Sequence, residues 1–207
     1  MFTGIIESKG HIATIEMVGG DARMTIAAAD GYLKGANLGD SIAVNGVCLT
    51  AVAFTPEGFI ADLSAETLAG TTASQWREAQ PVNLEKALTP HKPLGGHMVS
   101  GHVDGVGHLA EKHEDARGWR LSFEVPKSLA RYIARKGSIT IDGISLTVNE
   151  VDKTRFGVMI VPHTWQHTTL GTLDVGGAVN LEVDLIARYL ERLLAAREEE
   201  AYEPDPH

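Results

Sequence analysis

Cys48 is the one cysteine of this 207-residue chain, and it sits in Val47-Cys48-Leu49-Thr50, directly after an Asn45-Gly46 turn signal. A thiol with a pKa near 8.5 is a few per cent thiolate at neutral pH, which is enough for a competent nucleophile. The other role open to a lone cysteine is that of a small core residue. On a strand, Cys48 and Thr50 share a face, so if one points inward the pair lines a cavity. Of His97 and His102, in Gly95-Gly96-His97-Met98-Val99-Ser100-Gly101-His102, His102 is the candidate for a proton carrier or hydrogen-bond donor among glycines. They stand five apart rather than at the four-residue spacing of a helical metal pair. The chain has neither a cysteine pair nor a His-Glu-x-x-His stretch, so no metal is expected. Lys136 and Asp184 read, taken alone, as surface charges. No Gly-x-Gly-x-x-Gly or Gly-x-x-x-x-Gly-Lys-Ser/Thr stretch supports nucleotide phosphate binding.

These residues gain meaning because the chain repeats itself. A shift of 97 residues lays Met1–Leu88 over Met98–Leu185 without a gap, and about twenty of the aligned pairs are identical where chance gives roughly five. Asn45-Gly46-Val47-Cys48-Leu49-Thr50 meets Asp142-Gly143-Ile144-Ser145-Leu146-Thr147, and Val82-Asn83-Leu84-Glu85 recurs unchanged as Val179-Asn180-Leu181-Glu182. A period this long with two copies describes two homologous domains, not a solenoid. Two like domains suit two like ligands. The reactive groups are unequal: Cys48 faces Ser145, Ile5 faces His102, Glu66 faces His163, Gly39 faces Lys136 and Ala87 faces Asp184. His11 and His108 recur at matching positions, which suits a structural role shared by both copies.

The elements that must carry these residues are short strands with turn punctuation. The first copy reads as strands over Ile5–Ile15 (with a bulge or bend at Gly10), Met24–Ala28, Ser41–Val44, Val47–Ala53, Phe59–Leu63 and Val82–Glu85. Asn45-Gly46 makes a hairpin, Pro56-Glu57-Gly58 turns, and a short helical stretch lies near Glu66–Ala73. Asp142-Gly143 repeats the hairpin. Six short strands in each copy favour a small closed barrel, which also leaves no exposed edge. The expected domains are residues 1–97 and 98–185, joined by the Pro- and Gly-containing linker Thr89–Gly96. Residues 186–207 form an addition without a counterpart in the first copy. There Ile186, Tyr189, Leu190, Leu193 and Leu194 recur at helical spacing, giving an amphipathic helix that either folds back on a barrel or meets its own copy on other subunits. A disordered tail is expected from Glu198 to His207.

At 43% hydrophobic residues the chain can bury two ordinary cores. Its net charge of −9 argues against nucleic acid or an anionic membrane as partner. No apolar run is long enough to span a bilayer. The start Met1-Phe2-Thr3-Gly4 has no basic region or cleavage site and argues against export, and a lone cysteine suits a reducing cytosol. A cytoplasmic location is therefore expected.

The residues quoted so far resemble those of the riboflavin synthase alpha-chain family. Met1-Phe2-Thr3-Gly4-Ile5 is similar to its opening, Gly95–His102 to the start of its second domain, and Lys136-Gly137 with Ile141–Thr147 to its most recognisable motif. Thr168-Thr169-Leu170-Gly171 and Val179–Asp184 continue the likeness over almost the whole chain. The resemblance implies an all-β fold of two tandem six-stranded Greek-key barrels related by duplication, plus a C-terminal helix. It also implies dismutation of two 6,7-dimethyl-8-ribityllumazine molecules to riboflavin and 5-amino-6-ribitylaminouracil, with no cofactor and no metal. It further implies a homotrimer held by the C-terminal helix, in which the reacting pair meets between the first barrel of one subunit and the second of another.

Carried over residue by residue, the catalytic set is Cys48, His102, Lys136, Ser145 and Asp184. The first pocket takes Ser41, Cys48, Leu49 and Thr50 with Asp62, Leu63, Ser64, Ala65, Glu66 and Thr67. The second takes Lys136, Ser145, Leu146 and Thr147 with Ile160, Val161, Pro162, His163, Thr164 and Trp165. Phe2, Gly4, Ile5 and Ile6, and likewise Gly101, His102 and Val103, approach the ring edges. Pro162-His163-Thr164 departs from the family, which often has an acidic residue in the middle. The alternative is a non-catalytic lumazine or flavin carrier of the same fold, from which the catalytic set distinguishes a synthase. The flavin barrel of a reductase would need an accompanying nicotinamide-binding domain, for which the chain has neither length nor motif.

Overall fold

Strands whose apolar residues alternate with polar ones bury one face and leave the other wet, and two sets of such strands build this molecule. The computed structural model describes residues 1–202, with side chains to residue 197. The first copy contains β1 (Ser8–Val18), β2 (Asp21–Ala27), β3 (Ser41–Val44), β4 (Val47–Thr50), β5 (Ala53–Phe54), β6 (Gly58–Leu63), the one-turn α1 (Ala65–Gly70) and β7 (Pro81–Lys86). The second contains β8 (Gly105–Asp115), β9 (Gly118–Glu124), α2 (Lys127–Ala130), β10 (Ser138–Ile141), β11 (Ile144–Asp152), β12 (Arg155–Ile160), α3 (Pro162–His167) and β13 (Ala178–Val183), followed by α4 (Leu185–Tyr202). Among the described residues no helix is long and apolar enough to cross a membrane.

The second copy is a closed barrel in the order β10-β11-β12-β9-β8-β13, antiparallel throughout. The first copy departs from the expected six-stranded closure. Its ladder is an open seven-stranded sheet, β4-β3-β7-β1-β2-β6-β5, whose two end strands are successive pieces of one interrupted strand. The break falls where that strand changes partner: Ala51 N donates to Asp40 O (3.0 Å) and Val52 N to Ile60 O (2.9 Å). In the second copy Val148 N makes the matching bond to Gly137 O (3.0 Å), and a bulge between Val148 and Glu150 absorbs the change within a continuous β11.

Other boundaries also move. β1 starts at Ser8 rather than Ile5; before it, Thr3 and Gly4 are held by the Glu85 side chain instead of a ladder. Its bulge lies between Ile12 and Thr14, not at Gly10; Gly10 is instead a close approach, since a Cβ there would sit 2.2 Å from Ala27 O. The expected helix near Glu66–Ala73 breaks at Thr71, whose extended backbone and side chain cap a separate 3₁₀ turn over Thr72–Gln75. The helix α4 runs through Tyr202, so residues 198–202 of the expected tail are helical backbone, and 203–207 lie outside the described residues. Ile186, Tyr189 and Leu193 are well exposed, whereas Leu190 and Leu194, about half exposed, line a cleft with Arg131, Tyr132 and Ala134. Glu191 pairs with Arg131 at 2.7 Å, so α4 lies against the second copy with most of its stripe uncovered.

Each barrel has its own core. Ile12, Met24, Ile26, Ile42, Phe59 and Leu84 fill the first, and Leu109, Leu121, Phe123, Ile139, Phe156 and Leu181 the second. The segments that precede β1 and β8 cross over. Ile6 packs on the second core and Val103 on the first, while Phe2 and Val99 exchange backbone bonds of 2.7 and 3.2 Å at the crossing. The two hairpin turns meet back to back. A Cβ on Gly46 would lie 2.7 Å from Gly143 N, and one on Gly143 2.8 Å from Gly46 N, so both positions need glycine, also at φ near +78°. Asn83 Nδ2 donates to Asp142 O and Asn180 Nδ2 to Asn45 O, both at 2.9 Å, tying each barrel to the other's turn.

At these turns Asn45 and Asp142 do the same job: each Oδ1 accepts the backbone N–H of Asn83 or Asn180, at 2.7 and 2.8 Å. Asp142 is buried, and burial raises its carboxyl to about 7, opposed only by the bond from Asn180. With a folded pKa above the unfolded one, stability from this group is full below about 4 and is lost as pH rises to about 7. The substitution Asp142→Asn, which copies the first turn, should therefore raise the melting temperature at pH 8, by the equivalent of ~2–4 kcal/mol, and the gain should vanish towards pH 4. Thermal unfolding across that pH range checks this; a gain independent of pH would show that the carboxyl titrates normally.

Candidate active site

Two buried carboxylates set the positions from which the site is built. Glu85 Oε1 accepts from Thr3 N (2.8 Å) and Thr3 Oγ1 (2.7 Å), and its Oε2 from Gly4 N (2.9 Å). Glu182 repeats this with Ser100 N (2.7 Å), Ser100 Oγ (2.6 Å) and Gly101 N (2.9 Å). So held, each segment turns its next carbonyl to the opposite barrel. Gly4 O accepts Ser145 N at 2.8 Å, and Gly101 O accepts Cys48 N at 2.9 Å. A Cβ on Gly4 would lie 2.5 Å from Ser145 Cβ, and one on Gly101 2.7 Å from Cys48 Cβ. Both glycines also have left-handed φ, so the approach and the turn exclude any side chain. The expected residues are thus paired across the repeat: Gly4 with Ser145, and Gly101, which His102 follows, with Cys48.

Cys48 and Thr50 point away from the barrel interior, for it is Val47 and Leu49 that enter the first core. The conditional reading of an inward Cys48 is therefore answered by an outer face, with the half-buried thiol against the small cluster of Phe2, Ala43 and Val99. Ser145 and Thr147 take the equivalent outer face of the second barrel. Phe2, Leu49, Leu63 and Ile160 are buried with their side chains in apolar clusters. Thr50, Asp62, Ser64, Ala65 and Glu66 are exposed, as are Val161, Pro162 and His163, with Thr67, Leu146, Thr164 and Trp165 partly so. Asp62 is paired with Arg23 at 2.7 Å, which lowers its carboxyl pKa. Ser64 caps α1 by accepting from Thr67 N at 3.2 Å. Ser41 lines a cavity of about 440 Å³ with Glu7, Lys34 and Lys86. Trp165 stacks on Trp119 with ring centroids 4.2 Å apart, and His163 on His167 at 4.1 Å.

The structure adds a residue that the sequence had left unassigned. His97 Nδ1 lies 2.7 Å from Ser145 Oγ. Gly96 makes room for the pair, since a Cβ there would stand 2.8 Å from Ser145 Oγ. Burial pushes the His97 pKa down, partly opposed by Asp184 and Glu182, so the ring is neutral at neutral pH. In the tautomer with its proton on Nε2, Nδ1 can accept the Ser145 proton. Asp184 also caps α4 by accepting from Ile186 N at 3.0 Å. In the sequence His97 stands between Gly95-Gly96 and Met98, the opening residue of the second copy.

Lys136 stands apart from that pair. It donates from Nζ to Asn149 Oδ1 (3.0 Å) and precedes β10, with its backbone N–H on Val148 O (2.7 Å). Its φ of +68° is left-handed, where the first copy has Gly39 at +89°. A lysine held in this left-handed conformation costs about 1 kcal/mol. Among the described residues no three His, Cys, Asp or Glu side chains converge as a metal site.

If neutral His97 serves Ser145, His97→Gln should lower kcat at least tenfold and leave analogue affinity within a few-fold. The acidic limb of the wild-type pH–kcat profile should fall below the ordinary histidine range and disappear in the variant. Stopped assays across pH check both; an unchanged limb in His97→Gln would remove the ring from the proton path.

A family model described as the lumazine binding domain matches the chain twice, over residues 3–87 and 100–184. The chain is 46% identical to riboflavin synthase of Photobacterium phosphoreum over 194 residues, covering 94% of this chain and 89% of that protein. It is 46% identical to that of Mycobacterium tuberculosis over 198 residues (94% and 98%) and 38% to that of Bacillus subtilis over 194 residues (94% and 90%). Among solved structures it is similar to LumP complexed with 6,7-dimethyl-8-(1'-D-ribityl) lumazine, with a TM-score of 0.80 at 26% identity over 88% of this chain and 99% of that one. LumP complexed with riboflavin superposes with a TM-score of 0.82 at the same identity and coverage. The chain belongs to the riboflavin synthase family, built from two lumazine-binding domains.

Proposed function

We propose that the protein is a riboflavin synthase in which each copy binds one 6,7-dimethyl-8-ribityllumazine and a four-carbon unit passes from one to the other. The observation that carries this is the doubled carboxylate clamp with unequal reactive groups upon it, in a chain 38–47% identical to several riboflavin synthases. Two identical substrates need two like pockets, and donor and acceptor need different treatment. The exchange balances in atoms and charge without added water, oxidant or metal. A carrier of the LumP kind shares the fold, but sequence identity is higher to the synthases.

The electron-poor ring makes the C7 methyl acidic, so the protein's task is positioning with modest acid–base help. The Ser145–His97 pair takes that proton, leaving the electron pair on the exocyclic carbon and an imidazolium at His97, a reading supported by their 2.7 Å contact. Cys48 supplies the strongest nucleophile of the set in the first pocket. Thr50, Ser64 and Thr67, and Thr147 and Thr164, offer hydroxyls to the ribityl chain. Residues 1–97 and 98–185 serve as the two lumazine-binding units. Residues 186–207 serve as the association element of a homotrimer, supported by the exposed stripe of α4. The reacting pair then forms between the first unit of one subunit and the second of another, in the cytoplasm.

Purified protein given the lumazine should produce riboflavin, followed by its absorbance. The substitution Cys48→Ser keeps size and hydrogen bonding but loses nearly all nucleophilicity, so turnover should fall by one to several orders of magnitude with analogue binding within a few-fold. Equal turnover would reduce Cys48 to a packing residue.

A further inference from the structure

One contact joins α4 directly to the segment that carries His102. Arg188 Nη2 donates to His102 O at 2.7 Å and to Asp104 Oδ2 at 2.7 Å, and stands 3.8 Å from Glu182 Oε1. Arg188 and Asp104 are largely buried, and Asp104 Oδ2 also accepts Val183 N at 2.7 Å. One nitrogen of the guanidinium thus gathers the carbonyl of His102, the carboxylate that clamps Gly101 and the strand end that leads into α4.

The first copy has a cation at the corresponding pair of carboxylates. Lys92 Nζ lies 2.7 Å from Glu7 and 3.0 Å from Glu85, the repeat equivalents of Asp104 and Glu182. Its remaining bond, however, goes to Lys86 O at 3.1 Å, at the end of β7, and not to Ile5, the equivalent of His102. Neutralising the two carboxylates is therefore common to both copies, whereas gripping the crossing segment belongs to the second alone. That segment is the one whose Gly101 carbonyl holds Cys48.

We propose that Arg188 is a positioning residue for the reaction: from α4 it fixes the backbone of Gly101–Asp104, and so the place of His102 next to the Gly101 carbonyl that holds Cys48. This rests on the synthase reading above. It makes α4 more than an association element, because the helix that would join subunits also holds one wall of the first copy's site. An ammonium at the place of Nη2 satisfies the same contacts, as Lys92 shows for the carboxylates, and Arg188 Nε has no partner to lose.

The test compares Arg188→Met, Arg188→Lys, His102→Gln and the Met/Gln double variant as full-length proteins, by steady-state riboflavin formation and by sedimentation. Arg188→Met should lower kcat about ten- to a hundredfold with KM within about threefold and the wild-type oligomer intact, and Arg188→Lys should restore kcat to within about threefold. The double variant should be no slower than His102→Gln alone, within about threefold, because both changes act on one group. Wild-type kcat in Arg188→Met, multiplying losses in the double variant, or a loss that only follows dissociation would each overturn the proposal. Should Arg188→Met not fold, Arg188→Gln takes its place: its shorter neutral amide neither neutralises Asp104 and Glu182 nor reaches His102 O as Nη2 does, and a wild-type kcat there overturns the proposal equally. Wild-type protein that forms no riboflavin would remove the synthase reading and the positioning role with it; active wild type with an equally active Arg188→Met removes the positioning role alone.

Discussion

Everything that brings reactive groups together depends on a carboxylate buried at the end of the last strand of each copy. Glu85 and Glu182 each accept three donors from a segment that has no ladder of its own. A buried, charged acceptor with its lone pairs filled by backbone N–H groups is stable where an unpaired one would cost several kcal/mol. The clamp lets the segment leave its own barrel and place a carbonyl on the reactive strand of the other. Without it, Ser145 and Cys48 would lose the neighbour that fixes their backbone. The close-packed glycines at Gly46 and Gly143 then lock the two barrels at one separation.

On this symmetric frame the chemistry is asymmetric. The first copy presents a thiol, on a strand whose Cys48 N–H is held by the Gly101 carbonyl of the segment that also carries His102. The second presents a serine hydroxyl with a neutral imidazole at 2.7 Å and a carboxylate near enough to moderate that ring. The two copies differ at a handful of positions on this frame, Cys48 against Ser145 among them. Fold alone would not distinguish a carrier from a synthase, since function lies in the side chains placed on it.

The repeat made most of this legible in the sequence. Matching residues 97 apart exposed the shared frame, and mismatches pointed to Cys48, His102, Lys136, Ser145 and Asp184. The hairpins at Asn45-Gly46 and Asp142-Gly143 were visible because left-handed turns demand those residue types. Other features were hidden because they depend on partners distant in the chain. The crossing of Ile6 and Val103 into opposite cores leaves no trace in local periodicity. The strand break at Ala51 arises from a change of hydrogen-bond partner and not from a turn residue. The face of Cys48 was undetermined, since its strand carries Val47 and Leu49 on one side and Cys48 and Thr50 on the other, and both faces could have been buried. His97 could be recognised only once Gly96 and Ser145 were seen to close around it.

The central claim is that Cys48 on the first barrel of one subunit and Ser145 on the second barrel of another serve a single reacting pair. Mixing Cys48→Ser and Ser145→Ala subunits, each weakly active alone, after reversible dissociation tests this most directly. Random exchange leaves about a quarter of the inter-subunit sites with both groups intact, so riboflavin formation should return to roughly a quarter of the wild-type rate. A mixture no more active than the average of its two parents, with exchange of subunits verified by mass, would contradict the shared site.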